Sequence, residues 1–347
     1  MGRQHLPNVA KNPKFRIRAL CDLNEELLAE RKKSYGPEYT TTDYRTLLND
    51  REIEAIFIGV RGDRHAEFIE KVAESGKHVF VEKPMTHASE EAERVVKAVR
   101  RSGVKLMVGF NRRFAPCMVD AKALYQAMKT TRAILNYRIM DDHNYRPKYI
   151  FDLKVGHGHL LAEGCHIFDL ICWFLDEKPV RIYCQGALET DNVAVVTFEK
   201  GSIATISCGG LGSFYYPKEY MEVFSGYKTL VMDQFSELRY YTLEEGQHRH
   251  YPLKVDELRN VASDKIGIAA QYEKLRESSR RKLGPGTTQP DKGHMAEIDA
   301  FADAILNDTP SPVDEIAGAR ATVLALKGYE SLKKKIPVEI SEKDYFV

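Results

Sequence analysis

The chain has 347 residues, 43% of them hydrophobic and 29% charged, with a formal net charge of +1. That length accommodates two domains, and the balanced charge excludes a nucleic-acid surface or an acidic disordered tail. No apolar run approaches the ~18 residues of a membrane span. The opening stretch MGRQHLPNVAKNP lacks the apolar segment of a secretory signal, and none of the six cysteines forms a CxxC pair, so a cytoplasmic protein with free thiols is expected.

The first 110 residues alternate strand and helix signals. Lys14–Cys21 reads as a strand ending at Asp22, and Asn24 caps a helix that Gly36 stops. Ile53–Val60 is a second buried strand, followed by a helix over Arg64–Ser75 and a stop at Gly76. Lys77–Pro84, KHVFVEKP, is the third strand. Pro84 cannot donate to a ladder and holds the preceding residue extended, so Lys83 is fixed at the carboxyl end of the strand. In open α/β sheets that edge is where ligands bind. A helix over Ser89–Ser102, with Ser89 as its expected N-cap, leads to a last strand, Val104–Phe110. Asn111, Arg112 and Arg113 follow at the same carboxyl edge. Strands separated by helices imply parallel pairing through right-handed crossovers, hence a doubly wound sheet.

A dinucleotide fold opens with a strand and a Gly-x-Gly-x-x-Gly turn about 20 residues before a ribose-binding acid. Here Gly2 lies 20 residues before Asp22 and takes the place of the last glycine, while the first strand and earlier glycines are missing. Such a strand would lie between the one ending at Asp22 and Ile53–Val60. Three or four buried apolar side chains at about 1.5–3 kcal/mol each rival a domain's whole net stability of roughly 5–15 kcal/mol. An upstream segment of about ten residues, an apolar strand ending in Gly-x-Gly, is therefore expected to precede Met1 in the working protein.

Beyond residue 115 the pattern changes. A helix over Pro116–Lys129 and a strand over Ala133–Ile139 precede an apolar helix near residues 158–175. Residues 180–240 read as consecutive strands with short turns, an antiparallel sheet. Residues 276–294 read as a surface loop, Met295–Leu306 and Glu315–Leu332 as helices, and Val338–Ile340 as a short strand. The apolar helix carries Glu163, His166 and Asp169 three residues apart, within about 120° of one another around its axis. Three ionisable groups in such a helix are either a satisfied structural network or the lining of a polar cavity, where His166 can exchange a proton near neutral pH. Glu163-x-x-His166 lacks the second such motif a carboxylate-bridged metal site needs, and His157-Gly158-His159 lacks a third ligand nearby, so no metal is expected.

Glu82-Lys83-Pro84, Gly109-Phe110-Asn111-Arg112-Arg113-Phe114 and Glu163-Gly164-Cys165-His166-Ile167-Phe168-Asp169-Leu170, in that order and spacing, resemble the glucose–fructose oxidoreductase / inositol dehydrogenase (Gfo/Idh/MocA) family over nearly the whole chain. The resemblance implies a Rossmann domain over 1–115, here without its first strand. It also implies a substrate-binding and oligomerisation α/β domain with a large, mainly antiparallel sheet over 116–347, its C-terminal helices packing back toward the first domain. It implies an NAD-dependent oxidoreductase acting on a sugar or cyclitol. Lys83 matches the catalytic lysine and His166 the histidine beside the substrate hydroxyl. Asp22 matches the ribose-binding acid, which favours NAD over NADP. With Gly2, His65 and Glu82 it belongs to the cofactor site. Asn111, Arg112, Glu163 and Asp169 are the expected substrate-binding residues.

Two features depart from the common pattern. Ala162 stands where many of the family's dehydrogenases carry an aspartate, and Glu163 resembles a subgroup with Glu-x-Cys-His. An NAD-dependent glycosidase of the same fold and a cofactor-free sugar-binding paralogue are the competing readings. A homodimer or homotetramer formed through the broad sheet is expected, with no nucleic-acid or membrane partner.

Overall fold

The computed structural model describes residues 2–128, 132–141, 148–153, 156–212, 216–251 and 290–345. Residues 276–289 of the expected surface loop lie outside them. The chain forms two compact units, one of residues 1–110, 294–322 and 345–347, the other of residues 111–293 and 323–344.

In the first unit, α1 (Gly2–Lys11) precedes β1 (Ala19–Cys21), α2 (Glu25–Tyr35), β2 (Tyr39–Thr41) and α3 (Tyr44–Asn49). Then come β3 (Ala55–Ile58), α4 (His65–Glu74), β4 (His78–Val81), α5 (Ser89–Ser102) and β5 (Leu106–Val108). The glycine stops act as expected: Gly36, Gly76 and Gly103 adopt φ of 60°, 77° and 69°, a region open to glycine at little cost. Asn24 Oδ1 accepts the Leu27 N–H at 2.9 Å, capping α2. The cap of α5 differs from expectation. Ser89 is already its first residue, and Ala88 at the N-cap has no side-chain acceptor. Glu91 replaces it, accepting the N–H groups of His87 and Ala88 at 2.9 and 3.2 Å.

All strand pairs of this unit are parallel, but they form two sheets, β1-β2 and β3-β4-β5. The expected doubly wound sheet is thus divided between β1 and β3, the place where a dinucleotide fold's first strand would pair. The residues of β1 and Ala55–Phe57 of β3 are only half-buried, unlike Val79–Val81 of β4. Aromatic packing holds the core. Phe57 stacks on Phe80 at 4.9 Å, and Phe301 of α9 (His294–Leu306) meets both edge-on at 5.7 Å.

The second unit contains α6 (Pro116–Ala127), β6 (Ile134–Met140), α7 (His159–Ala162), α8 (Gly164–Leu175), β7 (Pro179–Gly186), β8 (Asn192–Phe198) and β9 (Ile203–Gly209). It continues through β10 (Glu219–Ser225), β11 (Lys228–Asp233), β12 (Glu237–Tyr241), β13 (Gly246–His250) and β14 (Val338–Glu339). Helix α10 (Glu315–Lys334) contributes residues to both units. One nine-stranded sheet runs β13-β12-β11-β10-β6-β9-β8-β7-β14. Among the described residues the β6–β9 pair alone is parallel, and the other pairs are antiparallel. Strict alternation in β6, β8 and β10 buries one face of the sheet and leaves the other more exposed.

The expected continuous apolar helix is broken. Glu163, at φ −120° and ψ −38°, separates α7 from α8, and Gly164 follows it. Glu163 is therefore the N-cap residue of α8 rather than a step on the same helical face as His166 and Asp169. At the far end, Lys122 Nζ donates to the carbonyls of Trp173 and Phe174 at 2.7 and 2.8 Å, satisfying the helix terminus.

Candidate active site

In the first unit the site is built on the end of β4. Val81 completes the buried strand, and Glu82 and Lys83 emerge at its carboxyl edge, before a cis Lys83–Pro84 peptide. Glu82 is buried. Its Oε1 contacts His5 Nε2 of α1, and its Oε2 accepts the Lys83 backbone N–H at 3.2 Å. Burial pushes the Glu82 carboxyl up, but the His5 bond and charge outweigh it and hold the group below its ordinary range. The reverse holds for buried Glu297 of α9, pushed well above the ordinary carboxylate range by burial and by the charge of Glu82. His5 Nδ1 lies 3.9 Å from Glu297 Oε1. Two carboxyl groups thus flank one histidine, Glu82 bonded to it and Glu297 near it without a hydrogen bond.

His65 secures the same turn from α4. Its Nδ1 lies 2.7 Å from the Pro84 carbonyl and its Nε2 3.2 Å from the Val60 carbonyl. Burial pulls its pKa down, so the ring is neutral and has one N–H. The shorter contact selects Nδ1–H donating to Pro84. His65 thereby fixes the backbone beside Lys83.

Asp22 stands exposed just beyond β1, its Oδ1 accepting the Asn24 N–H at 2.9 Å. This carboxylate at a strand's carboxyl end fits the hydroxyls of an adenosine ribose, as the lysine-bearing end of β4 fits the reactive end of a dinucleotide. Gly2 opens α1.

The second unit holds the other residues named from sequence. Asn111, Arg112 and Arg113 form a buried 3-10 turn. Asn111 Nδ2 donates to the Lys292 carbonyl at 2.7 Å. Arg112 forks onto Glu219, with Nε to Oε2 at 2.7 Å and Nη2 to Oε1 at 3.0 Å. Tyr137 Oη and Lys292 Nζ donate to the same carboxylate at 2.8 and 2.6 Å. Glu219, although fully buried, is held well below the ordinary carboxylate range by Arg112 and Lys292. Lys292 is pulled down to about 8 by burial, against the attraction of Glu219.

The network continues through Glu163, whose Oε2 lies 3.8 Å from Arg112 Nη2 and 3.5 Å from Lys218 Nζ. Lys218 reaches Asp141 Oδ1 at 2.7 Å, and Asp141 Oδ2 meets His159 Nε2 at 3.2 Å. Arg113 binds Asp169 through both carboxylate oxygens, Nε to Oδ2 at 2.7 Å and Nη2 to Oδ1. His166 is buried on α8, and its backbone N–H donates to the Glu163 carbonyl at 3.1 Å.

Sequence reasoning missed His5, Glu297, Asp141, Lys218, Glu219 and Lys292. Each is one polar residue in an unremarkable segment, with partners far away along the chain. In the sequence His159 stands out only as half of a His-x-His pair. Its role here is that of a partner to Asp141.

A parallel-sheet unit with a lysine at a strand's carboxyl edge, and a second unit with a broad sheet beside a buried ionic network, define a dinucleotide-dependent oxidoreductase. Residues 1–110 match the family model described as oxidoreductase family, NAD-binding Rossmann fold, and residues 128–225 match the GFO/IDH/MocA C-terminal domain. The chain is 31% identical over 236 residues to the uncharacterized oxidoreductase YrbE of Bacillus subtilis, covering 65% of this chain and 68% of that protein. It is 24% identical over 363 aligned positions to the myo-inositol 2-dehydrogenase of Thermotoga maritima, covering 99% and 96%. Among solved structures, an oxidoreductase domain protein from Kribbella flavida superposes with a TM-score of 0.80 at 20% identity, covering 99% of this chain and 96% of that one. The chain belongs to the Gfo/Idh/MocA family of NAD-binding oxidoreductases.

Proposed function

We propose that this protein is a dehydrogenase that oxidises a secondary alcohol of a sugar or cyclitol, with NAD rather than NADP. The observation that carries the reading is Glu82-Lys83-Pro84 at the carboxyl end of β4, fixed by His65 and by the buried Glu82 carboxylate. NAD, when bound, supplies the hydride acceptor. Asp22 accepts hydrogen bonds from the adenosine ribose and repels a 2′-phosphate. Gly2, His65 and Glu82 complete the cofactor side, the last two by holding the Lys83 turn. Lys83 takes the proton of the hydroxyl at the reacting carbon, and His166 assists it. Glu163 accepts from substrate hydroxyls, while Asn111, Arg112 and Asp169 hold the substrate side in shape through the bonds described above. Inositol dehydrogenase relatives support the polyol assignment, and the broad sheet of the second unit supports a homo-oligomer.

The test is a panel of inositols, aldoses and anhydrosugars offered with NAD and with NADP, followed by NADH or NADPH absorbance. Lys83→Ala is expected to lower kcat by about 10²–10⁴-fold while NADH binding, followed by fluorescence, stays nearly intact. Wild-type turnover by that variant would remove Lys83 from its role. Release of a coloured aglycone without NADH accumulation would replace the reading with the glycosidase, and failure to bind NADH would replace it with the cofactor-free paralogue.

A further inference from the structure

The edge of the nine-stranded sheet carries a cluster that the oxidoreductase chemistry does not use. Among the described residues, strand β13 is the last in the sheet order and pairs with β12. His248 and His250 are two residues apart on it, so both side chains point to the same face. Glu237 on β12 lies directly opposite His250 in the antiparallel register, which places the three side chains together.

The geometry is that of a ligand set. Glu237 Oε2 lies 3.2 Å from His248 Nε2, and its Oε1 lies 3.9 Å from His250 Nδ1. The imidazole centroids are 4.2 Å apart, and one donor atom from each of the three residues falls within 4.8 Å of the others. An ion held at about 2.0–2.2 Å from each donor sets tetrahedral donors about 3.3–3.6 Å apart, so atoms now within 4.8 Å of one another close by up to about 1.5 Å through side-chain torsions. The histidine side chains are 46% and 35% exposed, so an ion can enter, while Glu237 at 14% is anchored in the sheet.

We propose that Glu237, His248 and His250 form a three-ligand site for a zinc-class divalent ion. Two imidazoles and one carboxylate suit a borderline ion such as Zn²⁺ better than a hard one such as Mg²⁺ or Ca²⁺. Water fills the remaining positions, as in other three-ligand zinc sites. Arg239 faces His248 across the same pair of strands. Its positive charge opposes the ion, so binding is weaker than in a closed four-ligand site. The bound ion clamps the exposed edge strand to its neighbour.

The competing explanation is a plain histidine–carboxylate contact on a polar edge. Calorimetric titration of the full chain with Zn²⁺ separates the two. One equivalent is expected to bind, with His248→Ala, His250→Ala and Glu237→Gln each weakening it by roughly tenfold or more. Far-UV circular dichroism checks that each variant is folded. Cys21→Ser, which removes the half-buried thiol, is expected to leave binding unchanged. Co²⁺ should give visible absorption bands in wild type that both histidine variants lose. Absence of binding at millimolar Zn²⁺, or binding that survives both histidine substitutions or disappears with Cys21→Ser, would overturn the assignment.

Discussion

Glu297 is the residue whose chemistry depends most on where the fold puts it. Buried beside the ionised Glu82, it keeps its proton far above the usual range. An unfolded chain releases that proton near pH 4.5, so above this pH the folded state binds one more proton than the unfolded state, and stability falls as pH rises. The contribution is intact below the unfolded pKa and is lost progressively from there up to the folded pKa. Glu297→Gln keeps the shape and cannot ionise. The variant should match wild type near pH 4 and then gain on it by on the order of 1 kcal/mol per pH unit as pH rises. Thermal unfolding of both proteins between pH 4 and 8 checks this, and parallel curves would contradict it. Glu82 has the opposite sign. Its depressed pKa contributes stability above pH 4.5 that is lost as pH falls. The two carboxyl groups therefore respond to pH in opposite directions, and only the protonated one gains from an amide.

Among the elements, α8 is held in place by a buried ion pair as well as by apolar packing. Arg113 and Asp169 form a buried, two-pronged pair, with side chains 8% and 1% exposed. Asp169→Asn preserves the shape but removes the charge that balances a buried guanidinium, a loss of about 3–5 kcal/mol. Urea unfolding measures it, and a loss below about 1 kcal/mol would mean that the pair behaves like a surface contact. Replacing both residues with apolar ones of similar volume should recover most of the loss, because neither charge is then left buried. Sequence reading placed both residues correctly at the level of elements, on the turn after β5 and on the apolar helix, without joining them, since 56 residues separate them. The elements that were legible carry local signals: Gly36, Gly76 and Gly103 at left-handed stops, Asn24 at a cap, and alternating or continuous apolar runs in β3 to β11. Those missed have none. Strand β13 reads GQHRH and is exposed at every position, so no periodicity marks it. Short β2 and α3 bury little. The break at Glu163 and the convergence of Arg112, Tyr137 and Lys292 on Glu219 depend on tertiary partners that no local window contains.

For the whole molecule, the proposed homo-oligomer would form through the nine-stranded sheet. On its more exposed face, cross-strand pairing aligns Phe224 with Ile134 and Ile134 with Ile203, one row across three adjacent strands. These side chains are 40%, 52% and 39% exposed respectively. Val193 of β8, 49% exposed, adds to the same face. An apolar row at the ends of three adjacent strands is the kind of surface that protein–protein contact covers. The simplest partner is a second copy, packed face to face about a two-fold axis. In such an interface each residue appears twice, so one substitution introduces two changes. Ile134→Asp would bring two carboxylates into an apolar contact, and like charges placed across an interface cost several kcal/mol, enough to move a micromolar equilibrium fully toward monomer. Lys228→Asp, at the start of β11 and outside the row, changes the charge by more without entering it. Sedimentation velocity is expected to show wild type and the Lys228 variant as dimers or larger, and the Ile134 and Phe224→Asp variants as folded monomers. A wild type that sediments strictly as a monomer at micromolar concentration, or row variants that assemble like wild type, would show that this face is not the interface.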